Sequence, residues 1–211
     1  MENYTEGASV LQEAYQAVMS GNATQPFRKH RADAVRNRER LLETAADIFG
    51  AGGTDASLEA VAKRAGVGIG TLYRHFPTRE VLFEAVYRRE VDQLSELAER
   101  LADEVGPVEA LRRWLHANVR LVATKKGMVA ALALAAHRPS ELHAYSADRL
   151  TKAVGLLLDR AVTAGEIRAD ITPEDLLRAL VGMSYNVYDT PDWRTTALRL
   201  ADVFVDGLRK R

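Results

Sequence analysis

Residues 57–76, SLEAVAKRAGVGIGTLYRHF, contain two short helical patterns joined by a turn of small residues. Ser57 can cap the first helix, because its hydroxyl accepts a hydrogen bond from an otherwise unpaired amide of the first turn. Gly66 stands where the end of that helix favours a left-handed residue, and Val67 can pack back against the helix. The second helix is predicted from about Gly68 to His75. Two short helices joined by such a sharp turn form a helix-turn-helix, an arrangement typical of DNA-reading proteins.

The second helix has an apolar side and a bare N-terminal end. Ile69, Leu72 and Phe76 fall at helical spacing and are predicted to point inward. Gly68 and Gly70 place no side chain at the end of the helix that would approach base edges in a major groove. Close approach of the backbone to DNA is therefore possible.

Polar side chains occupy the other side of this segment. Arg74 can donate two hydrogen bonds to a guanine, although it is equally suited to holding a phosphate or pointing away. Thr71 can contact a phosphate or a thymine methyl group. Tyr73, His75 and Lys63 are types that bind phosphate oxygens, which set the register of a protein on DNA without reading sequence.

A longer ordered set of residues surrounds the motif: the run from Arg38 to Phe49 (RERLLETAADIF), Gly53-Thr54, Ser57, Ala65-Gly66-Val67, the run from Gly70 to Pro77, and Arg79-Glu80-Val81-Leu82. This set resembles the tetracycline-repressor-like (TetR) family of transcriptional regulators. The resemblance implies a three-helix DNA-binding head, a long fourth helix joining head to body, and an all-helical body that dimerises and holds an effector ligand.

The sequence departs from the family pattern at two places. Gly68 stands where the family often has a serine that opens the recognition helix, and Thr78-Arg79 stands where Ser-Lys is usual. Arg79 can still reach a phosphate. The predicted DNA-contacting residues are Arg38, Ser57, Lys63, Gly68, Ile69, Gly70, Thr71, Tyr73, Arg74, His75 and Arg79.

Length and composition fit two small domains in the cytoplasm. The chain has 211 residues and no cysteine, which excludes disulfides and thiolate metal sites and suits a reducing compartment. No apolar run approaches the ~18 residues of a membrane span. The N-terminus carries Glu2 and Glu6 and has no Lys or Arg before Arg28, which is unlike a signal peptide. We therefore expect a cytoplasmic protein without a membrane partner.

The neutral overall charge hides an uneven distribution. Residues 26–90 carry 12 Lys or Arg against 9 Asp or Glu, whereas residues 1–25 carry no basic residue and 3 acidic ones. A basic arm thus precedes the head and can follow a phosphate backbone, although a solvated tail would have a similar composition. We predict a flexible tail with this arm at 1–35, a DNA-binding domain at 36–83, and an effector-binding and dimerisation domain at 84–211.

Helical spacing predicts an all-α fold of about nine helices. The first runs from about Arg36 to Gly50 and stops at Gly52-Gly53, and a long connector capped by Thr78 runs to the break at Gly106-Pro107. Further helices are predicted at 107–123, 127–136, 139–164, 173–188 and 192–210.

The last two helices are the best candidates for a dimer seam, because their apolar stripes are wider than one neighbouring helix would cover. Periodicity leaves open that these stripes only bury against their own subunit. The predicted interface residues are Leu177, Leu180, Ser184, Ala197, Leu200, Ala201 and Phe204.

An effector pocket is predicted from large apolar and polar-tipped side chains in the body, although each alone is more often a core or surface residue. The predicted lining is Trp114, Asn118, Met128, His137, Tyr145, Met183, Tyr185 and Asn186. No catalytic constellation, metal-ligand spacing or cofactor fingerprint appears, so we expect no enzyme, no metal and no cofactor. The predicted function is a homodimeric repressor released from an inverted-repeat DNA operator by a small-molecule effector. The alternatives are a constitutive DNA-binding activator or architectural protein without an effector, or a small-molecule-binding enzyme.

Overall fold

The computed structural model describes residues 25–51, 57–134, 139–187 and 192–210. These residues form eight helices: α1 (Gln25–Gly50), α2 (Leu58–Arg64), α3 (Ile69–His75), α4 (Arg79–Glu104), α5 (Pro107–Leu134), α6 (Pro139–Thr163), α7 (Pro173–Val187) and α8 (Trp193–Leu208). Within the described ranges, the β-structure is a single antiparallel bridge between Ile167 and Arg209. The predicted all-α fold is confirmed, and residues 1–24 of the predicted tail lie outside the described residues.

Helices α1, α2 and α3 pack around the core of the head. Because α2 and α3 have only seven residues each, they depend on this packing more than on their own hydrogen bonds. The side chains that fill the core are at most 1% exposed: Leu41, Leu42, Ala45, Phe49, Val61, Leu72 and Phe76.

The turn between α2 and α3 ends α2 with a left-handed glycine. Gly66 has a φ of 66°. Its amide donates to the carbonyl of Lys63 at 3.1 Å, and the amide of Val67 donates to the carbonyl of Ala62 at 3.0 Å. These two bonds form a Schellman motif, which pairs carbonyls that the end of a helix leaves open. The predicted sharp turn is confirmed.

Helix α4 belongs to both halves of the molecule. Near its start, the ring of Phe83 lies 4.5 Å from that of Phe49 in the head, measured between centroids. Further along, the indole N–H of Trp114 on α5 donates to the carbonyl of Leu94 at 2.8 Å. Apolar side chains are buried along the whole length of α4: Leu82, Val86, Val91, Leu94, Ala98 and Leu101. One helix therefore continues from the core of the head into that of the body, as the predicted connector requires.

Two predicted helix boundaries were wrong. Helix α1 begins at Gln25 instead of about Arg36, because nothing between these residues stops a helix and the first turn tolerates Pro26. The predicted arm is therefore helical from Gln25 onward. Helix α5 continues through the predicted break at 125–127, since one glycine inside a helix costs only about 1 kcal/mol. No described helix is long and apolar enough to cross a membrane.

The turn generates a stability prediction with a matched control. We expect Gly66→Ser to lower the free energy of unfolding by about 1–3 kcal/mol, because a side chain strains the backbone at positive φ. Gly68→Ser makes the same chemical change at a φ of −69°, where it supplies a capping hydroxyl. It should raise stability by a few tenths of a kcal/mol. Denaturant unfolding of the two variants and the wild type measures the difference, and equal stabilities for both variants would contradict the strained turn.

Candidate nucleic-acid interface

Helix α3 has one face in the core of the head and another in solvent. Leu72 and Phe76 are 0% and 1% exposed, as predicted for inward-facing residues. Ile69 and Tyr73 are 37% and 44% exposed. The prediction that Ile69 points inward was wrong, because Ile69 lies one turn before the exposed Tyr73 and shares its side of the helix.

The N-terminal end of α3 is bare backbone. Gly68 is extended, with φ −69° and ψ 145°, and gives the helix no side-chain cap. At both Gly68 and Gly70, a Cβ atom would meet nothing within 4 Å. A ligand surface can therefore approach the amides of the first turn, which form the positive end of the helix dipole.

The polar residues predicted around this helix differ in exposure. Arg74 on α3 and Lys63 on α2 are exposed, while Thr71 and His75 are half-buried. Arg74, Lys63 and Tyr73 thus place two cations and a phenol on the solvent side of the motif. These types suit a phosphate backbone and base edges.

Ser57 caps α2, the first helix of the motif, and Thr78 caps α4, the helix that follows the motif. The Ser57 hydroxyl oxygen accepts from the amide of Ala60 at 3.1 Å, and the Thr78 hydroxyl oxygen accepts from the amide of Val81 at 3.3 Å. The pKa of Glu59 is lowered, first by a hydrogen bond from its own amide and then by one from the Ser57 hydroxyl. Ser57 thus has a structural role at the start of α2, and its contact with DNA stays a prediction.

Arg38 and Arg79 both stack on aromatic rings of the head. The guanidinium carbon of Arg38 lies 5.4 Å from the ring centroid of Phe76, and that of Arg79 lies 5.2 Å from the ring centroid of Phe83. Arginine can stack and still donate, because its N–H groups lie at the edge of the guanidinium plane. This geometry is compatible with the phosphate contacts predicted for both residues.

Comparison with known proteins covers both halves of the chain. Residues 41–86 match the family model described as bacterial regulatory proteins, tetR family, and residues 106–210 match that of the transcriptional regulator SbtR-like C-terminal domain. The crystal structure of the TetR transcriptional regulator SCO0520 from Streptomyces coelicolor is 42% identical, with a TM-score of 0.74, over 82% of this chain and 98% of that chain. The chain belongs to the TetR family of transcriptional regulators.

Other relatives agree with this TetR-family assignment. The crystal structure of the TetR transcription regulatory protein from Mycobacterium vanbaalenii is 36% identical over 85% of this chain and 99% of that chain, with a TM-score of 0.69. The HTH-type transcriptional regulator SAR0097 from Staphylococcus aureus (strain MRSA252) is 39% identical over 69 residues, which is 32% of this chain and 36% of that protein. The curated match thus spans about a third of the relative's own length.

The residues predicted to line an effector pocket in this TetR-family body fall in different places. Trp114 is fully buried, and its indole N–H is already paired with Leu94. Asn118 is 2% exposed, and its side-chain nitrogen is buried without a hydrogen-bond partner among the described residues. Met183 is half-buried against the core. His137 lies outside the described residues, as do the side chains of Met128, Tyr185 and Asn186.

Tyr145 lies on the wall of a cleft of about 690 Å³ between α1, α4 and α6. Its hydroxyl donates to the carboxylate of Asp92 and accepts from Nε of Arg149 at 3.0 Å. The guanidinium carbon of Arg88 lies 4.5 Å from the Tyr145 ring centroid. Sequence reasoning missed this cleft, because charged side chains line much of it and hydrophobic periodicity carries no signal for them.

The predicted dimer residues divide into two groups. One group is at most 1% exposed within a single chain and fills the contacts of α7 and α8 with their own subunit: Leu180, Ser184, Ala197 and Ala201. The other group is half-buried: Leu177, Leu200 and Phe204. Whether these residues also meet a second copy stays a prediction.

A buried carboxylate lies where α1 approaches the body. Arg120 on α5 lies 3.8 Å from Asp47 of α1 and 3.9 Å from Glu90 of α4, measured between nitrogen and oxygen. The side chain of Glu90 is only 7% exposed. Burial raises the pKa of Glu90, and the positive charge of Arg120 opposes that rise without cancelling it. The ionised carboxylate is therefore incompletely compensated at this junction.

From the burial of Glu90, we predict that removing its charge stabilises the protein in a pH-dependent way. Below the pKa that Glu90 has in the unfolded chain, both states hold the proton, so there is no buried charge to destabilise the fold. Because the folded-state pKa is raised, the destabilisation by the buried charge grows as the pH rises through that folded-state value. We expect Glu90→Gln to raise the Tm at about pH 7 and to lose this effect near about pH 4. Glu96→Gln removes the same charge at an exposed position on α4 and should have little effect. Calorimetry at both pH values tests this, and a lower Tm for Glu90→Gln at neutral pH would contradict it.

Proposed function

We propose that this chain is a homodimeric repressor that binds an inverted-repeat DNA operator through α3 and is released by a small-molecule effector in the cytoplasm. The observation that carries the proposal is that one side of α3 is buried and the other is exposed. Leu72 and Phe76 hold the helix in the core, while Ile69 and Tyr73 face solvent on the other side. A helix held in this way can enter a major groove without losing its packing.

The charges of the head support DNA as the partner. Arg38, Lys63 and Arg74 are exposed on the three helices of the head. Neutralising phosphates with such cations releases the ions condensed on DNA, so affinity should fall steeply with salt. The exposed backbone at Gly68 and Gly70 adds close approach to this electrostatic attraction.

The outer surface of α7 and α8 supports dimerisation. Val181 and Val203 are 41% and 64% exposed, although both are apolar. Half-buried Leu177 lies one turn before Val181, and Leu200 lies almost one turn before Val203. Gly207, one turn after Val203, has open space where a Cβ would be. Two copies of this surface related by a twofold axis would form a four-helix bundle and cover the exposed valines.

Contacts between head and body support a response to an effector. Arg120 on α5 pairs with Asp47 near the end of α1, and Arg194 on α8 donates to the carbonyl of Gly50, the last residue of α1. A rearrangement of α5 or α8 therefore acts directly on the head. An effector shifts the head only if it binds the two arrangements with different affinity.

The test of this function is a salt-controlled selection of the purified protein against random duplex DNA, followed by sequencing of the retained molecules. An inverted-repeat motif would support a dimeric regulator and supply the probe for an effector screen. A motif whose binding no small molecule changes would favour the constitutive activator or architectural protein. No enrichment at a salt concentration low enough to keep phosphate contacts would contradict sequence-specific binding.

Two classes of head variant should behave differently on the selected DNA. We expect Tyr73→Ala and Lys63→Ala to weaken binding to all sequences alike and Lys63→Ala to reduce the salt slope, because these groups contact phosphates. Arg74→Ala or Thr71→Ala should relax the preference at individual base pairs by about 1–3 kcal/mol. Titrations against a panel of point-substituted operators measure both effects. Uniform losses in both classes would overturn the assignment of base contacts.

The proposed dimer surface predicts the oligomeric state of a charge variant. Val203→Asp places a carboxylate in the seam, and burying that charge at both symmetric positions should shift the protein to monomer. Val35→Asp is the control, because Val35 is 58% exposed on α1 of the head. Sedimentation equilibrium of the two variants and the wild type gives the association constants. A dimer of unchanged affinity in Val203→Asp would place the interface elsewhere.

A further inference from the structure

The turn of the helix-turn-helix is held from outside by an arginine of α1. Nε of Arg40 donates to the carbonyl of Ala65 at 3.1 Å, and Nη2 donates to the same carbonyl at 2.7 Å and to that of Gly66 at 2.9 Å. One guanidinium thus joins two consecutive carbonyls that lie 25 and 26 residues further along the chain. The two carbonyls belong to the residues that end α2.

These carbonyls are the ones that the turn itself does not use. The two bonds of the Schellman motif go to the carbonyls of Ala62 and Lys63, inside α2. The carbonyls of Ala65 and Gly66 follow that last turn and accept from Arg40 instead. Carbonyls at a helix C-terminus also carry the negative end of the dipole, so a cation bonds to them with additional strength.

We infer that Arg40 is a positioning residue for DNA recognition: it sets the angle at which α3 leaves α2 by holding the carbonyls of Ala65 and Gly66. This inference rests on the proposed function and adds a residue to it. Arg40 is one of the 12 basic residues of segment 26–90, and such a charge near DNA suggests a phosphate contact. Its Nε and Nη2 groups instead hold the turn, so its effect on binding passes through the geometry of α3.

Positioning and phosphate contact make different demands on the side chain. A phosphate contact needs a positive charge, which lysine also supplies. Arg40 makes three bonds to the two carbonyls from two nitrogens held in one plane. Lysine has a single nitrogen, one bond closer to its backbone than Nη2, and cannot reproduce this set. Arg40→Lys therefore separates the two roles, since it keeps the charge and removes the planar pair of nitrogens.

The experiment compares Arg40→Lys, Arg40→Gln and a control on the same helix. Arg36→Lys is the control, because Arg36 is 64% exposed and pairs with Asp33 on its own helix. For each protein, the affinities for the selected operator and for random duplex DNA are titrated at several salt concentrations. Hydrogen exchange of the Val67 amide, measured without DNA, reports on the turn itself.

For both Arg40 variants, we expect the ratio of operator affinity to random-DNA affinity to fall about tenfold or more. Arg40→Lys should keep the wild-type salt slope on random DNA. The Val67 amide should exchange faster in both, and Arg36→Lys should behave as wild type. If Arg40→Lys keeps the full ratio while Arg40→Gln weakens all DNA equally and lowers the salt slope by about 1, Arg40 is a phosphate contact and the inference is wrong. A wild-type protein without sequence preference would instead refute the proposed function, and this inference with it.

Discussion

Burial of the inner face of α3 is the interaction on which the rest of the structure depends. Helices of seven residues are too short to persist alone, so α2 and α3 exist because Leu72 and Phe76 are covered. Burying an apolar side chain of this size is worth about 1.5–3 kcal/mol, whereas a single hydrogen bond contributes only about 0.5–1.5 kcal/mol net. The exposed side of α3 has a defined direction only because its other side is anchored.

The same anchoring continues through α4 into the body. Phe83 packs on Phe49 in the head, and Leu94 accepts from Trp114 further along. Between them lies Glu90, a carboxylate kept from water where an apolar residue would cost less. Natural proteins break such local rules mainly where function requires it. Glu90 stands at the junction through which a response to an effector would have to pass.

Sequence reasoning succeeded where the local chemistry allows one solution. Gly66 follows a short apolar helix and precedes Val67, and a left-handed turn is the conformation that glycine best supplies there. It failed for Ile69 because helical periodicity says which residues share a face and not where the core ends. The same limit applies to α8, where Ala201 is fully buried and Phe204 is half-buried although both fall on one apolar stripe. The role of Arg40 was hidden for another reason: its partners are 25 residues away, and its charge suggested DNA.

The arrangement of α8 links dimerisation to DNA spacing in the proposed function. Arg194 in its first turn donates to the last carbonyl of α1, and Val203, more than two turns later, faces the proposed partner. Helix α8 therefore contacts the head at one end and would contact the proposed seam further along. In a twofold dimer, the distance between the two α3 helices must match the pitch of DNA, about 34–36 Å for successive major grooves. In such a dimer, a small tilt of α8 against the proposed seam would change this distance through the contact with α1, while Leu72 and Phe76 stay packed. The proposed function therefore separates recognition from release: the core of the head would define each DNA-reading surface, and the body would set the distance between the two surfaces.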